Sequence, residues 1–193
     1  MSESFALAVF ILVAMGVAGA AHVMWLNWAR SDLLLAPVDF GAQFRGRRVF
    51  GDNKRLRGFI ALPLAAACAF AAIAEYRYLF PAPLANGLWP LSTLQYAGIG
   101  FAAGFAFALA ELPNSFLKRQ LGVAPGKVPE QGWQRVLCLL LDRVDSTLGV
   151  LIVLSLLVPV PAITWLWVML VGPGMHAFFS AMLHRLGVKE RAL

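Results

Sequence analysis

Five runs of mostly apolar residues constrain this chain more than any other feature, at about 5–28, 59–80, 91–110, 136–158 and 162–184. A helix crosses the hydrocarbon of a bilayer with about 20 such residues. Composition agrees: 60% of the chain is hydrophobic, 13% is charged, and the mean hydropathy is +0.73. Soluble domains carry about 25% charged residues. The expected fold is an all-α integral membrane protein of five transmembrane helices forming a single domain over 1–193. Gly98, Gly100 and Gly104 in the third run suit close helix packing. Cys68 and Cys138 lie in apolar runs without metal-ligand spacing and read as small buried hydrophobes.

The basic residues orient the spans. Apart from Arg77, every Lys and Arg falls in 30–57, 118–143 or 185–191. With five spans all three regions lie on one face, which the positive-inside rule makes cytoplasmic. The N-terminus is then expected outside and the C-terminus inside, in a multi-pass protein of the cell inner (cytoplasmic) membrane. Loops 29–58 and 111–135 face the cytoplasm.

Three polar islands interrupt this frame. The first, "DFGAQFRGRRVFGDNKRLRG", intersperses glycines among Arg47, Arg48, Asp52, Lys54 and Arg57. Such a loop can serve topology alone, by holding anionic lipid. Its glycines also allow close backbone approach, and guanidinium forks match phosphate oxygens. The second island carries Glu111, Asn114 and Ser115 within one helical turn, followed by Lys118 and Arg119. The third, "DRVDS", places Asp142 and Asp145 three residues apart, on one side of a helix. Carboxylates that close need arginine partners, a shared proton or a divalent cation. Mg²⁺ takes a few carboxylates together with water and substrate phosphates. Together the islands describe a cytoplasm-facing cleft for phosphoryl or nucleotidyl transfer, with acids for metal and a basic rim for phosphates.

"PVDFGAQFRGRRVFGDNKRLRG", "ELPNSFLKRQLGVAPG" and "LLDRVDSTLG" resemble, in order and spacing, three motifs of the CDP-archaeol synthases, relatives of the CDP-diacylglycerol synthases. The resemblance implies a CTP-dependent cytidylyltransferase that joins CTP to a phosphatidic-acid-like lipid phosphate, giving a CDP-lipid and pyrophosphate with Mg²⁺. It implies metal ligation by Asp142, Asp145 and Glu111. Catalytic roles would fall to Lys118, Arg119, Asp142 and Asp145. Nucleotide or phosphate contacts would come from Arg47, Arg48, Asp52, Lys54, Arg57 and Ser115. The chain departs from the family at Asn53, Arg55 and Leu56, where Gly, Thr and Trp are usual, and at Glu111, where Asp is usual. Those departures keep open an alternative: a non-catalytic scaffold that binds nucleotide or anionic lipid. A transporter would want charged or broken residues at the middle of several spans, and these spans are nearly clean. The expected partners are CTP, the lipid and the membrane, and no nucleic acid. The sequence sets no oligomeric state.

Overall fold

The computed structural model describes residues 3–28, 34–124, 127 and 132–186. Arg30 and Lys189, which belong to two of the basic regions, lie outside them. Five long helices carry the fold: α1 (Glu3–Trp28), α2 (Leu56–Glu75), α4 (Thr93–Gln120), α5 (Trp133–Leu157) and α6 (Ala162–Arg185). A short α3 (Ala82–Ala85) and a 3₁₀ turn (Arg77–Leu79) link α2 to α4. Strands β1 (Gln43–Phe44) and β2 (Arg47–Arg48) pair antiparallel between α1 and α2.

Four of these helices, α1, α2, α4 and α6, are long and apolar enough to cross a membrane. α5 matches them with 25 residues, but Asp142, Arg143 and Asp145 interrupt its apolar run. The turn at 158–161, with two prolines, folds α6 back on α5 as the sequence implied.

Several helix ends move by two or three residues, and two boundaries differ by more from the sequence reading. α2 ends at Glu75 rather than near 80, where the backbone tightens into the 3₁₀ turn. α4 does not stop at 110. It runs on as one helix to Gln120, so the second polar island is helical and the following loop starts ten residues later than expected. At 1.5 Å per residue, 28 residues span roughly 42 Å, longer than the hydrocarbon thickness of about 30 Å. Polar side chains mark where the helix leaves the apolar layer. They do not end it, because helix hydrogen bonds close within the segment.

In contact order the long helices form a ring: α1 touches α2, α2 touches α4, α4 touches α5, α5 touches α6, and α6 returns to α1. Small residues set the closest approach. A Cβ at Gly100 would stand 2.6 Å from the Ala66 carbonyl oxygen, and one at Gly104 would stand 2.7 Å from the Pro63 Cα. Gly98, grouped with them by sequence, faces open space. One end of the ring is filled by Phe10, Phe70, Trp89 and Tyr96, packed edge to face. Tyr96 donates its hydroxyl to the Trp89 carbonyl at 2.7 Å, and the Trp89 indole donates to the Pro159 carbonyl at 2.8 Å. The hydroxyl and indole N–H thus find partners inside the apolar plug. The polar islands gather at the other end.

Candidate active site

At that open end, α4 presents Glu111, Asn114, Ser115, Lys118 and Arg119. The spacings of three and four residues stack them on one helix face. Asn114, Ser115, Lys118 and Arg119 are all buried. α5 answers with Asp142 and Asp145. The Asn114 amide donates to Asp142 Oδ1 at 2.6 Å and to Asp145 Oδ2 at 3.4 Å, bridging the two carboxylates. The Lys118 ammonium forms an ion pair with Asp142. Asp145 Oδ1 accepts from the Ser146 amide at 2.6 Å and from the Ser146 hydroxyl at 3.1 Å.

Glu111 is the junction of four segments. It pairs with Lys54 of the α1–α2 loop, accepts from the Ser146 hydroxyl of α5 at 3.2 Å, and stands 3.5 Å from His176 Nε2 of α6. One carboxylate therefore ties the loop, α4, α5 and α6 together. The Ser115 hydroxyl donates to the Glu111 backbone carbonyl at 2.9 Å.

The loop over this end is built around Asp39. Its carboxylate accepts from the amides of Gly41 at 3.2 Å, Phe50 at 2.9 Å and Gly51 at 3.0 Å, and from the Arg48 guanidinium at 2.6 Å. Burial alone would raise the pKa of this carboxyl. The Arg48 bond and the three amides outweigh that cost and hold it well below the usual carboxylate range. Arg45 and Gly46, both at positive φ, make the two-residue turn of the β1–β2 hairpin, as the twist of such hairpins requires. The bond from the Val38 amide to the Lys54 carbonyl, 2.8 Å, closes the base of the loop.

These contacts sort the basic residues. A cavity of about 810 Å³ is lined by Asp52, Lys54, Arg57, Glu111, Ser115, Lys118, Arg119, Asp142 and Asp145. Arg47 and Arg48, expected at the phosphates, do not line it. Arg47 reaches the Gln120 carbonyl and docks the hairpin on the end of α4, helped by Phe44 against Phe116 at 5.7 Å. Arg48 is held by Asp39 and, at 2.8 Å, by Asp52. Both arginines shape the loop. Arg119 stands apart from them: it is 6% exposed, and its Nε and one terminal nitrogen are buried with no hydrogen-bond partner among the described residues. A buried guanidinium in that state is a ready anion receptor.

The expected metal set is only partly assembled. Among the described residues, no three His, Cys, Asp or Glu side chains stand together as ligands for one ion. Glu111 is engaged by Lys54, Ser146 and His176. Asp142, itself paired with Lys118, and Asp145 are a pair of the kind Mg²⁺ takes, since it binds one or two carboxylates and completes its shell with water and substrate phosphates. Asn114 turns its amide nitrogen to both carboxylates and so holds them side by side, while its Oδ1 is buried without a partner among the described residues.

Sequence reasoning overlooked Asn114 and Asp39 as site residues. Asn114 was legible as a polar residue on the same helical face as Glu111 and Lys118. Asp39 opens the first island and stands in the family-like "PVDFG", but the sequence assigned it no role, because its partners lie two to twelve residues along an irregular loop. Of the two cysteines, Cys138 is buried as expected, whereas Cys68 lies exposed on the outer face of α2, and both are free.

The bundle and its site define an α-helical, multi-pass membrane protein with an acid- and guanidinium-lined cavity at one end. The chain belongs to the CDP-archaeol synthase family, whose CarS-like model matches residues 34–192. It is 29% identical over 176 residues to a CDP-archaeol synthase of Thermofilum pendens, covering 90% of this chain and 74% of the relative. It is 27% identical over 177 residues to one of Methanoculleus marisnigri, covering 80% of this chain and 87% of that protein. A third, from Pyrococcus furiosus, is 32% identical over 91 residues, 47% of this chain and 48% of the relative. No solved structure matches the chain.

Proposed function

We propose that this protein is a CTP:lipid-phosphate cytidylyltransferase of the cytoplasmic membrane. It would convert a phosphatidic-acid-like lipid phosphate and CTP to a CDP-lipid and pyrophosphate. The observation that carries the reading is convergence: residues near 54, 111–119 and 142–145, far apart in sequence, line one cavity that holds both acids and bases. Family membership supplies the nucleotide and the class of acceptor. The same reading makes α5 the fifth span, with the N-terminus outside and the cavity facing the cytoplasm, on the side of the basic loops.

An oxygen of the lipid phosphate attacks the α-phosphorus of CTP. The bond from that phosphorus to its bridging oxygen breaks, and pyrophosphate leaves with the electron pair. Most of the rate enhancement in such a displacement comes from positioning and charge neutralisation. Arg119, desolvated and short of partners, receives a phosphate without first breaking an ion pair. Lys118 keeps Asp142 neutralised in the free protein and can turn its ammonium toward the departing pyrophosphate. Lys54 and Arg57 bring the loop's positive charge to the cavity mouth. Asp142 and Asp145, aligned by the Asn114 amide, would hold Mg²⁺, which when bound would supply positive charge to offset that of the phosphates. Asp39 and Arg48 act at a distance by fixing the loop.

The scaffold alternative draws on the Lys54–Glu111 and Lys118–Asp142 ion pairs, which neutralise two of the expected acids. One assay separates the two readings. Purified protein with Mg²⁺, labelled CTP and phosphatidic acid should form labelled CDP-lipid, and Asp145→Asn should lower the rate by about 10²–10³. CTP binding without product, with both ester and ether lipid phosphates, would establish the scaffold instead.

A further inference from the structure

The cavity has two chemically different walls. Lys54, Arg57, Lys118, Arg119, Asp142 and Asp145 come from the loop, the first turn of α2, α4 and α5. The opposite wall is α1 and α6, mostly apolar through Met15, Gly19, Met175 and Phe179, with His176 and Ser180 of α6 as its uncharged or weakly basic polar members. Neither of these helices contributes an Asp, Glu, Lys or Arg to the lining. His22 is the polar residue of the α1 wall, and its Nδ1 is buried without a hydrogen-bond partner among the described residues. The space at this wall is governed by glycine. A Cβ at Gly16 would lie 2.7 Å from the terminal methyl of Met175, and one at Gly19 would lie 3.1 Å from the Phe179 ring. Two side chains of α6 thus occupy room that α1 leaves empty, and one of them is an unbranched, adaptable Met.

We propose that the α1/α6 wall holds the hydrocarbon chains of the acceptor lipid, and that Gly19 opposite Phe179 sets how bulky a chain enters. This rests on the reading of the site as one for a lipid phosphomonoester. The occupant is an amphiphile because the walls are split: a charged head belongs with Arg119 and Lys118, and only hydrocarbon gains by covering the half-buried Met15, Met175 and Phe179. His22 stands at the boundary, where its imidazole can meet a phosphate or glycerol oxygen. The chain would bind by displacing the Met175 and Phe179 side chains from the α1 glycines, so substitutions at Gly19 alter chain selectivity before they alter nucleotide binding.

The test needs no turnover. Phosphatidic acid carrying a mid-chain diazirine, and phosphatidylcholine with the same chain, are each photolysed with the full-length protein in nanodiscs, and labelled peptides are mapped by mass spectrometry. The phosphatidic acid probe should label α1 around 15–23 and α6 around 175–180, and unlabelled phosphatidic acid should compete. The phosphatidylcholine probe should mark only the outer belt. Gly19→Leu should reduce the α1/α6 labelling at least tenfold while CTP binding persists. Phe179→Ala, which fills nothing and so tests the wall independently if Gly19→Leu fails to fold, should improve competition by methyl-branched over straight chains several-fold. Equal labelling by both probes, labelling confined to α2 and α4, or competition ratios unmoved by Phe179→Ala would overturn the inference. Specific labelling in a protein that makes no CDP-lipid would overturn the catalytic reading alone.

Discussion

Asp39 shows how much one side chain organises here. Its side chain is 1% exposed and collects three amides and a guanidinium. Asp39→Ala leaves the amides without their acceptor and Arg48 with Asp52 alone, a change of about 3 kcal/mol by analogy with other broken buried pairs. Amides 41–51 should then exchange with solvent much faster, as hydrogen-exchange mass spectrometry would read. The pH dependence has a definite sign. The folded pKa lies below the ordinary value of 3.8, so the loop's stabilisation is complete above 3.8 and fades as pH falls through the lower folded value. Exchange protection should be flat from pH 7 to about 5 and collapse only in stronger acid. Protection lost near pH 6 would assign the loop's order to another group. Arg119 makes the opposite prediction. Its buried, under-partnered guanidinium costs stability, so Arg119→Met should raise the melting temperature in detergent by a few degrees while abolishing CDP-lipid formation. A lower melting temperature would mean that the guanidinium has stabilising partners.

At the scale of helices, apolar run length was enough to find every long element, since hydrocarbon thickness fixes that length. It failed where composition and conformation part company. Glu111 through Arg119 look like a loop by polarity, yet they extend α4, because the helix's own hydrogen bonds do not depend on which solvent surrounds its side chains. Much of the site was legible for the opposite reason: helical spacing alone puts Glu111 with Ser115 and Lys118, and Asp142 with Asp145. The fate of Arg47 and Arg48 was not legible. Both carry the right chemistry for phosphate, and only the folded loop shows that Gln120 and Asp39 claim them. Glycine gives a direct comparison between similar-looking positions. Gly104→Ala forces a Cβ against the backbone of Pro63 and should cost about 1–3 kcal/mol. Gly98→Ala meets nothing and should stay within about 0.5 kcal/mol, both read from thermal unfolding in detergent. Equal costs would mean that α2 and α4 do not pack through Gly104.

For the whole molecule, the sidedness of the membrane decides whether the site can reach cytoplasmic nucleotide. In a Cys68→Ser, Cys138→Ala background, Asn53→Cys should react with an impermeant maleimide only from the cytoplasmic side, and Asn86→Cys only from outside. Both positions are exposed. Labelling of both from one side would overturn the five-span arrangement. The ring adds a consequence in time. Because helix contacts follow chain order and the last helix returns to the first, the cavity lacks its final wall until α6 has left the ribosome and lodged beside α1. A nascent chain caught earlier carries most of its charged residues but has no enclosed place to gather a nucleotide, so the membrane meets a finished catalyst or an inert precursor, with no partly working form between them.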